Sequence, residues 1–255
     1  MVAAVFDPAS LVPCIGFRRA GPGEVHCWPF ELDTDAATLA LCYRSLCPEE
    51  RARADRFAFP VHRDRFVVAH GIMRHLLAGY LGLAAPAIRL DRLVHGKPVL
   101  AGPQGRHLAF NLSHSENRAV LAVSDGREVG IDLERVRRDL DVHSLARSTF
   151  TAPEVDYLAR LPADLQAAAF FRCWVAKEAV LKGEGAGLAL PVDSFEIAFG
   201  EDGEVRVLPH ASSRVRGDWT IRELSLGPDW PAAVAARGPE WRIRLPQEGS
   251  ARPGR

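Results

Sequence analysis

The stretch from Phe170 to Leu190, FFRCWVAKEAVLKGEGAGLAL, constrains the fold more than any other part of the chain. Phe171, Trp174, Val175 and Leu181 recur at helical spacing, so the segment reads as a helix with one apolar stripe facing a core. Glu178 falls on that same stripe, four residues after Trp174 and three before Leu181. A carboxylate there is costly to bury unless something pairs with it. Two partners are open: Lys182, one turn on as an i,i+4 pair, or a divalent cation, which prefers carboxylate oxygen. Gly183, Gly185 and Gly187 then end the helix.

The rest of the chain must supply the core that this helix faces. With 255 residues, 47% of them hydrophobic, it has enough apolar material for one large domain or two small ones. Equal acidic and basic counts give zero formal net charge, which argues against bulk attraction to nucleic acid or membrane. An anionic ligand would therefore be held by local basic groups. The five cysteines, Cys14, Cys27, Cys42, Cys47 and Cys173, form no CxxC pair, so neither a zinc site nor a disulfide framework is expected. The N-terminus is a poor signal peptide, and no apolar run reaches membrane-spanning length. A cytoplasmic protein fits these features.

In chain order, short strands are expected before residue 31, including Glu24 to Phe30. A helix follows over Thr34 to Ser45, capped by Asp33 or Thr34. A short helix opens at Pro48-Glu49-Glu50 behind Cys47, Pro60 interrupts it, and a longer helix runs from about Arg63 to Tyr80. Arg51, Arg53, Arg56, Arg63, Arg65 and Arg74 crowd this region. They are either a solvated face or, in part, a phosphate-binding patch. His95-Gly96-Lys97-Pro98-Val99 reads as a turn.

LAFNLSHS, Leu108 to Ser115, alternates as a strand, with Asn111 and Ser113 on the face opposite Leu108, Phe110 and Leu112; His114 sits where it ends. Arg118 to Ser124 is the next strand, and Asp125-Gly126 predicts a hairpin returning through Glu128 to Glu134. On that return strand Ile131 and Leu133 point to the core, while Gly130, Asp132 and Glu134 share the other face. Two adjacent carboxylates repel unless a cation neutralises them, so this face is either a solvent edge or a metal face. Polar helices follow over Asp139 to Phe150 and Pro153 to Ala169, with Thr151 as a cap. Beyond the glycines come strands at Phe195–Phe199, Val205–Leu208, Trp219–Leu224, Ala232–Ala236 and Trp241–Leu245. The tail after residue 246 lacks apolar periodicity.

The chain also echoes itself. Pro48-Glu49 matches Pro153-Glu154 in kind, and FVVAHGIMRHLLAG from Phe66 lines up with FFRCWVAKEAVLKG from Phe170. Gly79 then falls opposite Gly183, and Arg74 opposite Glu178. This pattern predicts a duplicated α+β unit in which the second copy kept the acidic ligand. The expected boundaries are 1–127 for the first lobe, 128–246 for the second and 247–255 for a flexible tail.

Four motifs occur in one order: Gly96-Lys97-Pro98, Phe110 to Ser115, Gly130-Ile131-Asp132-Leu133-Glu134, and Trp174 to Lys182. Together they resemble the 4′-phosphopantetheinyl transferases of the surfactin-synthetase-activating (Sfp) type, from about Pro48 to Phe199. The length resembles the monomeric, two-lobed class. The resemblance implies an α+β fold of two similar lobes in a pseudo-two-fold arrangement. It also implies transfer of the phosphopantetheine arm of coenzyme A to a serine of an apo acyl or peptidyl carrier protein. Asp132, Glu134 and Glu178 match Mg²⁺ ligands, Mn²⁺ being equally suited to oxygen. Ser113 and His114 match residues at the phosphates, Lys97 and Pro98 lie in the adenosine-side turn, and Arg53 stands near a 3′-phosphate position. Lys177 and Lys182, the two lysines of the helical motif, are both expected to bind coenzyme A, Lys182 matching a lysine near the pyrophosphate. Glu50 departs from the pattern, standing where some relatives carry a second lysine. Arg51, Arg63, Arg65 or Arg74 would then substitute. In the implied reaction Asp132 helps hold the metal, Glu178 or a metal-held water takes the serine proton, and Lys182 stabilises the leaving phosphate. Two other classes stay open: an inactive relative that docks carriers or binds coenzyme A, and a Mg²⁺-dependent nucleotide phosphohydrolase.

Overall fold

A computed structural model of the chain describes residues 20–21, 23–103, 107–200, 204–210, 213–215 and 218–245. The strand expected before Glu24 and the tail 247–255 lie outside these residues. Two helices of equal length, 22 residues each, organise the rest: α3 (Pro60–Leu81) and α6 (Ala163–Glu184). Each stops at a glycine in the left-handed region, Gly82 at φ 66° and Gly185 at φ 67°, where a side chain would be strained. Pro60 begins α3 at its first turn rather than merely interrupting a helix, because that position needs no backbone donor.

The elements before and after these helices occur twice in one order. First come β1 (Glu24–Glu31), α1 (Ala36–Ser45), α2 (Pro48–Ala54), α3 and four strands, β2 (Leu90–Arg92), β3 (Pro98–Leu100), β4 (Leu108–Ser115) and β5 (Arg118–Asp125). Then come β6 (Val129–Leu133), α4 (Val142–Thr149), α5 (Ala152–Arg160), α6 and again four strands, β7 (Phe195–Phe199), β8 (Val205–Pro209), β9 (Trp219–Ser225) and β10 (Pro231–Arg237). A last strand, β11 (Arg242–Arg244), closes the described chain. One sheet runs β11-β1-β5-β4 and another β6-β10-β9-β8-β7, so β1-β5-β4 corresponds to β6-β10-β9. One core lies between α3 and the first sheet, a second between α6 and the second sheet, and a third joins β1 and β5 to β6 and β10.

Several local expectations change. The cap of α1 is Asp35, whose side chain accepts from Thr38 N at 2.7 Å, in place of Asp33 or Thr34. The helical run expected over 153–169 is broken at Pro162, where α5 has ended and α6 begins. Asp125-Gly126 does turn the chain, with Gly126 at φ 72°, but no hairpin follows. Both edges of β5 are already paired, to β1 and β4, so β6 has no free edge there and pairs antiparallel with β10 instead. The tight hairpin is β4–β5, through Glu116 and Asn117. The strand expected at Trp241–Leu245 leaves the second sheet and pairs parallel with β1.

The repeat extends to a buried ion pair in each half. The capping-box glutamate of α2, Glu50, accepts from Cys47 N at 3.2 Å and from Arg74 Nε at 2.5 Å. Arg74 is 2% exposed and also donates to Ala85 O and Ile88 O. In the second half Glu154 caps α5 by accepting from Thr151 N and lies 2.8 Å from Lys177 Nζ. Lys177 is 0% exposed and donates to Val192 O and Phe195 O. In both halves a helix-cap carboxylate compensates a buried cation that closes off loop carbonyls. Removing one member of such a pair strands the other in the core, at about 3–5 kcal/mol.

Strand β6 lies unusually close to α6. A Cβ at Gly130 would stand 2.0 Å from Ala179 O and 2.8 Å from Gly183 Cα. We expect Gly130→Ala to cost more than about 3 kcal/mol, because backbone must move. Gly82→Ala, at φ 66° with nothing within 4 Å, should cost about 1–2 kcal/mol. Thermal unfolding of the two variants compares them, and equal losses would remove the close approach as the reason for this packing.

A second expectation concerns acid. Burial raises the Glu50 carboxyl, but hydrogen bonds from His70 and Arg74 outweigh it and bring the value from 4.5 down to about 2. Its folded value is thus depressed, so its stabilisation is complete above pH 4.5 and is lost as pH falls from there towards 2. The stability difference between wild type and Glu50→Gln, measured by denaturant unfolding, should shrink across that window. A difference independent of pH would contradict the pairing.

Candidate functional site

Strand β4 supplies one side of the site. Period two puts Asn111, Ser113 and Ser115 on one face, and that face meets β6 across the join between the two sheets. Asn111 Oδ1 accepts from Ile131 N at 2.9 Å. Ser113 Oγ donates to Asp132 Oδ1 at 2.7 Å. Ser115 Oγ donates to Glu134 Oε2 at 2.6 Å and accepts from Arg135 N at 3.3 Å. Three successive residues of this face therefore fix the register of the acidic strand.

Helix α6 supplies the other side. The contact of Gly130 with Ala179 and Gly183 carries β6 against the last turns of α6, which bear Glu178 and Lys182. Lys182 Nζ donates to Asp132 Oδ1 at 2.6 Å and to Ser113 Oγ at 2.9 Å. Of the two partners left open for Glu178, Lys182 is engaged instead by a contact across two elements. A buried aspartate 3% exposed competes better for an ammonium than a half-buried glutamate does. The solvent-edge alternative for the Asp132 face is excluded by the same burial.

The three acids act on one another. Desolvation and then the Asp132 charge hold Glu178 above the ordinary carboxylate range, with Glu134 adding to the effect and Lys182 opposing it. Glu134 is raised by desolvation and by Asp132, against the hydrogen bond from Ser115. Asp132 Oδ2 is buried and has no hydrogen-bond partner. Hard oxygen donors, an orphaned carboxylate oxygen and mutual repulsion make a donor set that suits a divalent cation. Among the described residues, no three Asp, Glu, His or Cys side chains already stand as a closed metal cage.

The basic residues gather around His114, exposed at the end of β4. Desolvation by the surrounding protein, then the charges of Lys182, His70 and Arg53, hold its imidazole below the ordinary range. Arg53 is exposed, with its guanidinium 5.0 Å from the centre of the Phe66 ring. Phe66 in turn stacks on His70 at 4.1 Å. Glu50 faces inward, with His70 Nδ1 3.0 Å from its Oε1, so its charge is neutralised by Arg74 rather than set against an anion. Of the substitutes considered, Arg74 is buried, Arg65 is bonded twice to Asp33, and Arg63 pairs with Asp64. Arg51 lies over Tyr43 and donates to Arg44 O, which leaves Arg53 as the exposed arginine nearest in field to His114.

A cleft of about 460 Å³ opens beside the acids, lined among others by His95, Lys97, Pro98, Glu178 and Lys182. Pro98 starts β3 at its rim. The Lys97 ammonium points inward, to Val129 O at 3.1 Å and Gly183 O at 2.7 Å, and so ties β6 to α6. Burial lowers it to about 8. The ammonium thus has a structural role, and Lys97 is also one of the residues that line the cleft. Lys177 is also corrected: it is fully buried, engaged by Glu154 and two carbonyls, and is not among the residues that line the cleft. Sequence reasoning passed over Ser115, although the alternation of β4 already set it on the face of Ser113.

Comparison with known proteins matches this arrangement. A family model described as the 4′-phosphopantetheinyl transferase superfamily matches residues 128–235. A second, described as 4′-phosphopantetheinyl transferase, N-terminal, matches residues 33–126. The 4′-phosphopantetheinyl transferase HetI of Nostoc sp. is 39% identical over 225 residues, covering 87% of this chain and 91% of the relative. The transferase psf-1 of Bacillus pumilus is 34% identical over 75% of this chain and 78% of its own length. Sfp of Bacillus subtilis is 30% identical over 77% and 84% respectively. With the acidic strand, the helical Glu178 and Lys182, and similarity spanning most of both chains, this protein belongs to the 4′-phosphopantetheinyl transferase superfamily, in its Sfp type.

Proposed function

We propose that the chain transfers the 4′-phosphopantetheine arm of coenzyme A to a serine hydroxyl of an apo acyl or peptidyl carrier protein. The serine oxygen bonds to the phosphorus next to the pantetheine, the pyrophosphate P–O bond breaks, and adenosine 3′,5′-bisphosphate leaves. The observation that carries the reading is Asp132, whose Oδ1 is held by Lys182 and Ser113 while its buried Oδ2 has no partner. Such a carboxylate is set up for a cation rather than for the fold.

Phosphoryl transfer asks mainly for positioning and charge neutralisation. His114 and Arg53 face the phosphates as hydrogen-bond donor and fixed charge, and Lys182 stands where the leaving phosphate gains charge. Asp132, Glu134 and Glu178 would hold Mg²⁺, or Mn²⁺ by the same oxygen preference. When bound, that ion supplies neutralisation of the pyrophosphate. Glu178, with its proton affinity raised, is the side chain suited to accept the serine proton. Lys97 and Pro98 border the cleft, with the Lys97 side chain keeping β6 and α6 together. Among the described residues no helix is long and apolar enough to cross a membrane. The family resemblance, in length and motif order, is what favours a cytoplasmic monomer.

Incubated with Mg²⁺ and coenzyme A, the protein should add the mass of the arm to an apo carrier, read by intact-mass spectrometry. Asp132→Ala and Glu178→Ala should each lower the rate by at least about 100-fold with the fold retained. Near-normal turnover in either variant would remove the carboxylate assignment.

His114→Ala should raise the KM for coenzyme A by about 10-fold, with a smaller change in kcat, since its role here is to bind a phosphate and not to move a proton. Steady-state kinetics tests this; an unchanged KM with a lowered kcat would move His114 from binding to chemistry.

A further inference from the structure

Asp132, on β6, and Glu134, the residue just past its end, are held in the same way. Ser113 bonds Oδ1 of Asp132, whose buried Oδ2 has no hydrogen-bond partner among the described residues; Ser115 bonds Oε2 of Glu134, which leaves Oε1 as its other oxygen. Ser115 is itself fixed at the tip of the β4–β5 hairpin. Its Oγ is tied back to Arg135 N, and the next residue, Glu116, binds Arg135 Nη1 at 2.6 Å through its carboxylate. Glu116 has φ 47°, the one positive φ at a non-glycine among the described residues. A side chain in that region costs backbone energy, so the tip keeps its shape against local preference. The result is a clamp: hairpin tip to the residue after Glu134, and hairpin hydroxyl to the Glu134 carboxylate.

We propose that Ser115 is a positioning residue for metal binding: its hydroxyl orients Glu134 so that the free oxygen faces the cation, as Ser113 does for Asp132. This rests on the carboxylate reading given above. Outer hydrogen bonds to a ligating carboxylate set its rotamer, and losing one lowers metal affinity by about 10–100-fold.

The experiment measures Mn²⁺ affinity by electron paramagnetic resonance with coenzyme A present, for wild type, Ser115→Ala, Ser115→Thr and Asp132→Asn, alongside thermal unfolding. Ser115→Ala should bind Mn²⁺ at least about 10-fold more weakly, with the KM for coenzyme A unchanged at saturating metal, and Ser115→Thr should restore affinity by returning the hydroxyl. If Asp132→Asn weakens Mn²⁺ but Ser115→Ala binds as wild type, the positioning role is overturned and the carboxylate site stands. If Ser115→Thr is as weak as Ser115→Ala, the hydroxyl is not what matters and the inference is again overturned. If Asp132→Asn binds Mn²⁺ as wild type, the carboxylate reading itself is wrong, and this inference goes with it.

Discussion

The close approach of β6 to α6 is the contact on which the site depends. Gly130 meets Ala179 O and Gly183 without room for a side-chain carbon at either glycine, and Gly183 itself packs on Trp219. Two residues along β6 stands Asp132; on α6, Lys182 immediately precedes Gly183 and Glu178 immediately precedes Ala179. The distance between an acidic strand and a helical carboxylate is therefore set by the absence of two side chains. Lys97 adds a tether by giving its ammonium to a carbonyl on each element. A desolvated lysine is accepted there because both backbone acceptors would otherwise lack that donor.

The repeated order of elements accounts for the buried lysine that stands next to Glu178. Each half carries a capping-box glutamate, Glu50 or Glu154, that reaches a buried cation on the long helix, Arg74 or Lys177. Each cation then binds two carbonyls of the segment after its helix. The pair is a device of the repeated unit, present in the half without the acids as well. Lys177 belongs to the fold and Lys182, five residues on, belongs to the site. The helical alignment that set Arg74 opposite Glu178 is one residue out from this correspondence, in which Arg74 and Lys177 play the same part.

The electrostatics of the site are those of charge held in waiting. Desolvation and mutual repulsion raise Glu134 and Glu178, and Lys182 offsets part of the negative field through Asp132. The basic side faces the other way, around His114, with Glu50 turned inward and neutralised. An anion with a cation between it and the acids satisfies both groups at once. Serine hydroxyls from β4 take one oxygen of each acid on β6 and so choose which oxygen remains.

Much of this was written locally in the chain. Period two over Leu108–Ser115 located β4, period 3.6 located α6, Gly185 ended it, and the spacing of Asp132 and Glu134 put both acids on one face. The motifs and their order named the family, and the echo between Phe66 and Phe170 announced the repeat. Partners were another matter. Periodicity says which way a side chain points, not what another element brings to meet it. The sequence alone left Lys182 open as a partner of Glu178, folded β6 back on β5, and gave Lys177 and Lys97 to a ligand. Tertiary structure sent Lys182 to Asp132, because that carboxylate is the more deeply buried. It sent β6 to β10, because β5 had no free edge, and it spent Lys177 and Lys97 on buried acceptors that no local pattern reveals.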